Sequence, residues 1–116
     1  MRIRNLTPHA IILVGPNNES VTLPPDPEGP ARVSISREPD GEVQIDGVSW
    51  PVRISRTVVS APANLPPRQD GVLLLVARAV AEAAPERDDL VIVDETIRDE
   101  KGRIVGARAL ARLVLY

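Results

Sequence analysis

Twelve prolines punctuate this 116-residue chain and leave one good helical window. Proline fixes φ and removes a backbone donor, so it stops helices and confines strands to the stretches between turns. The densest clusters are residues 24–30 and 62–67. Apolar runs resume directly after each, which marks them as ordered loops rather than disorder. Elsewhere polar and apolar residues alternate, except in the apolar β-type run of residues 10–14. Residues 2–6, 10–14, 21–23, 32–36 and 42–45 read as short strands, with Val33 and Ile35 facing in. Turns fall at 15–18, at Pro39-Asp40-Gly41 and at Asp46-Gly47, the strongest hairpin signal in the chain. Residues 48–59 read as extended, with Val52 and Ile54 on one side and Arg53 and Ser55 on the other. The middle of the chain is therefore expected to be an antiparallel meander.

Val72-Leu73-Leu74-Leu75-Val76 is a continuous apolar run of the kind buried strands carry. The alanine-rich segment after it has high helix propensity, and Pro85 ends it. Val76, Val80 and Ala83 form its apolar stripe, and Arg78 and Glu82 form an i,i+4 pair. Leu90-Val91-Ile92-Val93 is a second buried strand, followed by a turn at 99–102 and a return strand. Residues 107–116 fit strand or helix, and the hairpin's need for a partner favours strand. The expected fold is α+β: one domain, 1–116, with a mostly antiparallel sheet of meander and hairpins and one α-helix at about residues 76–84. A single helix covers only part of such a sheet. The apolar strands and the end Leu113-Val114-Leu115-Tyr116 accordingly predict a homo-oligomer.

Composition removes several functions. A net charge of -2 argues against a nucleic-acid binder that relies on bulk basicity. Trp50 and Tyr116 are the only aromatics, too few for a base-stacking platform. With no cysteine, thiol catalysis and Cys-ligated zinc are excluded, and the single His9 excludes a multi-His metal site within one chain. No apolar stretch approaches a membrane span and no signal-peptide pattern opens the chain, so a cytoplasmic protein without a membrane role is expected. Phosphate loops, dinucleotide fingerprints, zinc-protease helices and calcium loops are absent, and the serines lack a nucleophile elbow. No cofactor or metal is expected.

Three clusters remain as candidate sites. His9, with Thr7, sits beside the Pro8 bend and could act as a base or donate to phosphate. Arg87, Asp88 and Asp89 follow the helix, where adjacent carboxylates could bind a metal or share a proton, although successive strand residues face opposite ways. Arg98 and Arg103 flank the 99–102 turn. Facing arginines repel, so the register differs or something anionic lies between them: Asp99, Glu100 or a bound phosphate. The chain has 13 Arg against one Lys, and arginine's fork suits phosphate, although GC-rich codons favour it too.

These residues also carry a resemblance. Asn5-Leu6-Thr7-Pro8-His9-Ala10-Ile11, Ala31-Arg32-Val33, Leu65-Pro66, Arg87-Asp88-Asp89 and the run from Arg98-Asp99 through Gly102-Arg103-Ile104-Val105-Gly106 resemble a family of small, mostly uncharacterised phage, prophage and bacterial proteins. The likeness spans nearly the whole chain. It departs at Leu74-Leu75-Val76-Ala77, where the family often has Tyr-Ile-Val-Ser. The resemblance implies a mobile-element context. Small phage proteins often act by sequestering a host defence signal. The leading expectation is a non-enzymatic protein that sequesters a phosphate-bearing nucleotide, such as a cyclic nucleotide or ADP-ribose derivative. Arg87, Arg98 and Arg103 would hold phosphate, Thr7 and His9 would add polar contacts, and Asp88 or Asp89 would accept from ribose. The alternatives are a protein–protein interaction module acting on a host or phage protein through a sheet edge, and a small hydrolase using His9 with Asp88 or Asp89.

Overall fold

The computed structural model describes residues 1–114. Along the chain these form β1 (Arg2–Asn5), β2 (Ile11–Val14), β3 (Ser20–Leu23), β4 (Ile35–Val43), β5 (Val52–Val59), β6 (Val72–Leu75), α1 (Arg78–Ala83), β7 (Leu90–Arg98) and β8 (Ile104–Ala111). Six strands make one sheet in the order β1-β6-β7-β8-β2-β3, and β4 and β5 pair separately as a hairpin. The fold is α+β and dominated by sheet, as expected, but the sheet is mixed. The β1–β6, β6–β7 and β2–β8 pairings are parallel, while β2–β3 and β7–β8 are antiparallel. The expectation of a mainly antiparallel meander is corrected. The apolar runs at β6 and β7 flank the helix, and that crossover returns the chain to the same end, so the two strands align in parallel.

The sheet curls until its edges nearly meet. Just beyond β3, Pro25 bridges in parallel to Asn5 at the end of β1, and the Asp26 N–H donates to the Asn5 carbonyl at 2.8 Å. The result is close to a barrel. Strands buried on both faces explain the unbroken apolar runs. Leu75 and Val91 pack with Ile11 on one face, backed by Ile3, Leu13 and Leu23 from the other strands. Leu74, Leu90 and Ile92 point the other way and meet Val80, Ala81 and Ala84 of the helical segment, with Leu6 and Ala31. The helix is α1, six residues long and shorter than the sequence suggested; Val80 is buried, and Arg78 Nε donates to Glu82 Oε1 at 2.9 Å. Residues 107–111 are strand, and Leu113 packs on the helical side of the core. Of the expected apolar terminus, Leu115 and Tyr116 lie outside the described residues.

Gly106 shows why one motif glycine is needed. A Cβ there would sit 2.7 Å from the Ile12 carbonyl oxygen, where β8 passes β2. Gly106→Ala is therefore expected to cost about 1–3 kcal/mol by forcing the two strands apart. Urea denaturation checks this. A midpoint unchanged from the parent would show that the strands can yield.

The turn expected at Pro39-Asp40-Gly41 is a bulge inside β4 rather than a chain reversal. The register slips between Pro39 and Glu42, and Gly41 adopts φ +89°. The reversal occurs later, through residues 44–51 around Asp46-Gly47, where Gly47 has φ +83°.

Candidate functional site

Thr7 and His9 occupy the loop between β1 and β2, and Asn5 organises that loop. Buried Asn5 donates from Nδ2 to the carbonyls of His9 at 2.8 Å and Leu23 at 2.9 Å. Its Oδ1 accepts from the Thr7 N–H at 3.0 Å and from Thr7 Oγ1 at 2.6 Å. Thr7 Oγ1 also reaches the His9 carbonyl at 3.0 Å. The Asn-Leu-Thr-Pro-His segment is thus a lock that joins β1 to the end of β3. His9 contributes its carbonyl to that lock, and the residue is exposed.

Arg87, Asp88 and Asp89 precede β7. Asp89 is buried and takes two bonds from Arg87, Nε to Oδ1 at 2.9 Å and Nη2 to Oδ2 at 2.8 Å. Arg87 Nη2 also donates to the Pro66 carbonyl at 2.9 Å, tying the second proline loop to the start of β7. The Asp89 carboxylate holds the Arg87 guanidinium more firmly charged than usual. Asp88 points elsewhere and pairs with Arg68 at 2.6 Å, and that hydrogen bond lowers its carboxyl below the ordinary range. Neither carboxylate hydrogen-bonds to His9, and the two serve different arginines. Among the described residues no cluster of three or more His, Asp or Glu could hold a metal.

Arg98 and Arg103 stand at the far tip of the β7–β8 hairpin. Asp99 lies between them, as one of the expected alternatives allowed. Its Oδ2 accepts from Arg103 Nε at 3.2 Å, and its Oδ1 accepts from the N–H groups of Lys101 and Arg103. Arg98 Nη1 donates to the Gly102 carbonyl at 2.7 Å. The register also slips here, setting Arg98 opposite Ile104 rather than Arg103. Within the turn, Arg103 is paired with Asp99 and Arg98 is tied to a backbone carbonyl.

The candidate residues do not converge. Nine-residue β7 separates Arg87-Asp88-Asp89 from Arg98 and Arg103, roughly 25–30 Å at strand rise. A cavity of about 290 Å³ lies under the second proline loop, lined by Arg4, Leu6, Glu28, Asn64, Leu65 and Pro66 among others. Its arginine is committed. Arg4 makes two bonds to Asp26 and one of 2.8 Å to Glu28, and Arg4 in turn holds the Asp26 carboxyl below the ordinary range.

The feature that sequence reasoning missed is the arm formed by β4, β5 and their connection. Ile35 is expected from its alternation to face in, and Val52 and Ile54 to share one side of the next strand; the expectation for Ile35 is corrected, since its side chain lies in solvent. No residue between 35 and 59 belongs to either core cluster. Ile35, Val43, Ile54, Val58 and Val59 are exposed, and Trp50 is 63% exposed beside Pro51. A groove of about 860 Å³ runs along the arm at the β4 bulge, lined by Pro39, Glu42, Trp50, Val52 and Ile54 among others. The signal was the clean apolar–polar alternation, which predicts a covered face but not what covers it. The molecule measures 58 × 36 × 28 Å, elongated for a chain of this length.

The fold and this surface define a nearly closed mixed β-barrel that carries a projecting two-stranded arm. Compared with known proteins, the chain matches no family model, no curated protein and no solved structure. No helix among the described residues is long and apolar enough to cross a membrane.

Proposed function

We propose that this chain acts by binding rather than turnover, and that its working surface is the β4–β5 arm, which docks on another protein. One observation carries the reading. The two core clusters form without the arm, yet the arm keeps a tryptophan and several large aliphatic side chains in solvent. Such a patch marks an interaction surface, and tryptophan is the residue type that most often anchors one. Residues 35–59 carry three arginines against four carboxylates, so the arm offers little field to draw a nucleic acid.

The nucleotide-sequestering reading draws less support. It needs free arginines converging on a cavity, whereas Arg87, Arg98 and Arg103 each have a partner within the fold. A thermal-shift panel of mono-, di- and cyclic nucleotides and ADP-ribose derivatives is expected to leave the melting temperature unchanged. Stabilisation that disappears in the Arg98→Ala, Arg103→Ala double variant would restore the ligand reading.

The arm is tested directly by Trp50→Ser. The position is exposed and lies outside β5, so stability should stay within about 0.5 kcal/mol of the parent. Tagged parent and variant are passed over lysate of the source cells, and retained proteins are quantified by mass spectrometry. The expected result is a protein retained by the parent and lost by the variant. Identical profiles would sink the reading.

A further inference from the structure

The two edges of the arm are not equivalent, and the difference is visible in the backbone. The Ser60 N–H donates to the Ser34 carbonyl at 2.9 Å. In an antiparallel ladder, inward-bonding and outward-facing residues then alternate. Ser36 and Glu38 of β4 and Val58 and Arg56 of β5 therefore bond inward to each other. The outward positions are Ile35, Arg37 and Pro39 on β4, and Arg53, Ser55, Thr57 and Val59 on β5. Pro39 has no N–H to offer, and the bulge at Gly41 twists the same edge away, so β4 is blunted in the usual manner of an exposed edge. β5 has none of these devices. Its eight residues include no proline or glycine, and Arg53, Ser55, Thr57 and Val59 present N–H and C=O groups outward along an open edge.

We infer that this edge pairs with β5 of a second copy of the chain, antiparallel about a two-fold axis at Ser55. The inference rests on the arm being the interaction surface, and it assigns the edge to self-association while leaving Trp50 and the apolar face for the other protein. Three points single out a second copy. First, the register is self-complementary. Ser55 meets its mate, Arg53 meets Thr57, and these outward residues exchange the ladder bonds. On one face Val52 then meets Val58, and Ile54 lies against the aliphatic stem of Arg56. Second, no two arginines stand opposite each other. Within each copy Arg56 keeps Glu38 at 2.8 Å, and Glu42 is the cross-strand neighbour of Arg53. Third, a two-stranded hairpin open on both faces is marginal in water, whereas four strands sharing an apolar face are not. A closed two-fold pairing also uses up the edge and prevents open-ended growth.

The test is the mass in solution of the parent, Ser55→Pro and Thr57→Pro, measured by light scattering over a range of concentrations. Both substitutions remove an outward donor and leave the β4–β5 bonds in place, so the hairpin should survive, as far-UV circular dichroism would verify. The expected result is twice the 12.6 kDa chain mass for the parent and the single-chain mass for both variants. Amide exchange on the parent gives a reading independent of any variant: the Arg53, Ser55 and Thr57 amides should exchange more slowly as concentration rises, and Arg37 should not. A parent that is monomeric throughout, or proline variants that remain dimeric, overturns strand pairing. Neither outcome touches the Trp50 capture experiment, whose failure would be seen separately as unchanged lysate profiles.

Discussion

Arg87→Ala is expected to lower unfolding stability by about 3 kcal/mol and the melting temperature by roughly 10 °C or more. The residue sits in a motif that invites a ligand-binding role, but its guanidinium is spent. Both carboxylate oxygens of buried Asp89 are satisfied by Arg87, and the same guanidinium holds the Pro66 carbonyl. Truncation strands a carboxylate that is only 3% exposed. An uncompensated buried charge costs far more than the pair contributes, because water can no longer solvate it. The double variant Arg87→Met, Asp89→Leu separates these terms. Removing both charges together should recover most of the loss, leaving about 1 kcal/mol for the Pro66 carbonyl without its donor. Thermal melts of the three proteins decide it. If Arg87→Ala melts within a degree or two of the parent, the pair is not structural and Arg87 returns to the candidates for ligand binding.

That pair illustrates what the residues made legible. Apolar runs, turn residues and the alanine-rich window located most strands and the helix, because each rests on local chemistry, but the turn signal at Pro39-Asp40-Gly41 wrongly split β4 in two. The pairing partners were not legible. Whether β6 lies beside β1 or β5 depends on contacts across some seventy residues that no local pattern encodes. The continuous runs at Leu73–Val76 and Leu90–Val93 did carry a hint, since a strand–helix–strand succession with fully apolar strands is the signature of parallel pairing. The site suffered the reverse problem. Arg87, Asp88, Asp89, Arg98 and Arg103 were found as polar motifs at turns, and polar motifs at turns also arise when a fold satisfies its own backbone and charges. Asp99 caps its turn and Asp89 neutralises Arg87. Sequence spacing cannot distinguish a charge reserved for a ligand from one reserved for a neighbour. The arm failed differently again: its alternation announced a face to be covered, and the cover is not part of the folded core.

Asn5→Asp should prove still more damaging at neutral pH than Asn5→Ala, although it changes only an amide to a carboxylate. Asn5 is buried and fills both hydrogen-bonding capacities, with two bonds donated to the His9 and Leu23 carbonyls and two accepted from Thr7. Alanine leaves those partners unmet, a loss of about 3 kcal/mol at 1–3 kcal/mol per buried orphan with some recovered by water. An aspartate keeps the acceptor for Thr7 but turns a charged oxygen toward two carbonyl oxygens at a buried position. Burial and those carbonyls both disfavour the ionised form, so the folded-state pKa of the new carboxyl must rise above its unfolded value of about 3.9. A raised folded-state pKa means that the folded protein holds its proton more tightly. The penalty is therefore smallest below about pH 4 and grows as pH climbs through the folded pKa. Asn5→Ala has no such titration. Melting curves of both variants between acid and neutral pH separate the cases: the aspartate variant should approach the parent as pH falls, relative to the parent's own acid response, while the alanine variant keeps a constant deficit. Parallel pH profiles for the two variants would mean that the amide is not closing the barrel through Leu23. The bridge between β1 and the segment after β3 would then rest on the Asp26 N–H bond to the Asn5 carbonyl alone.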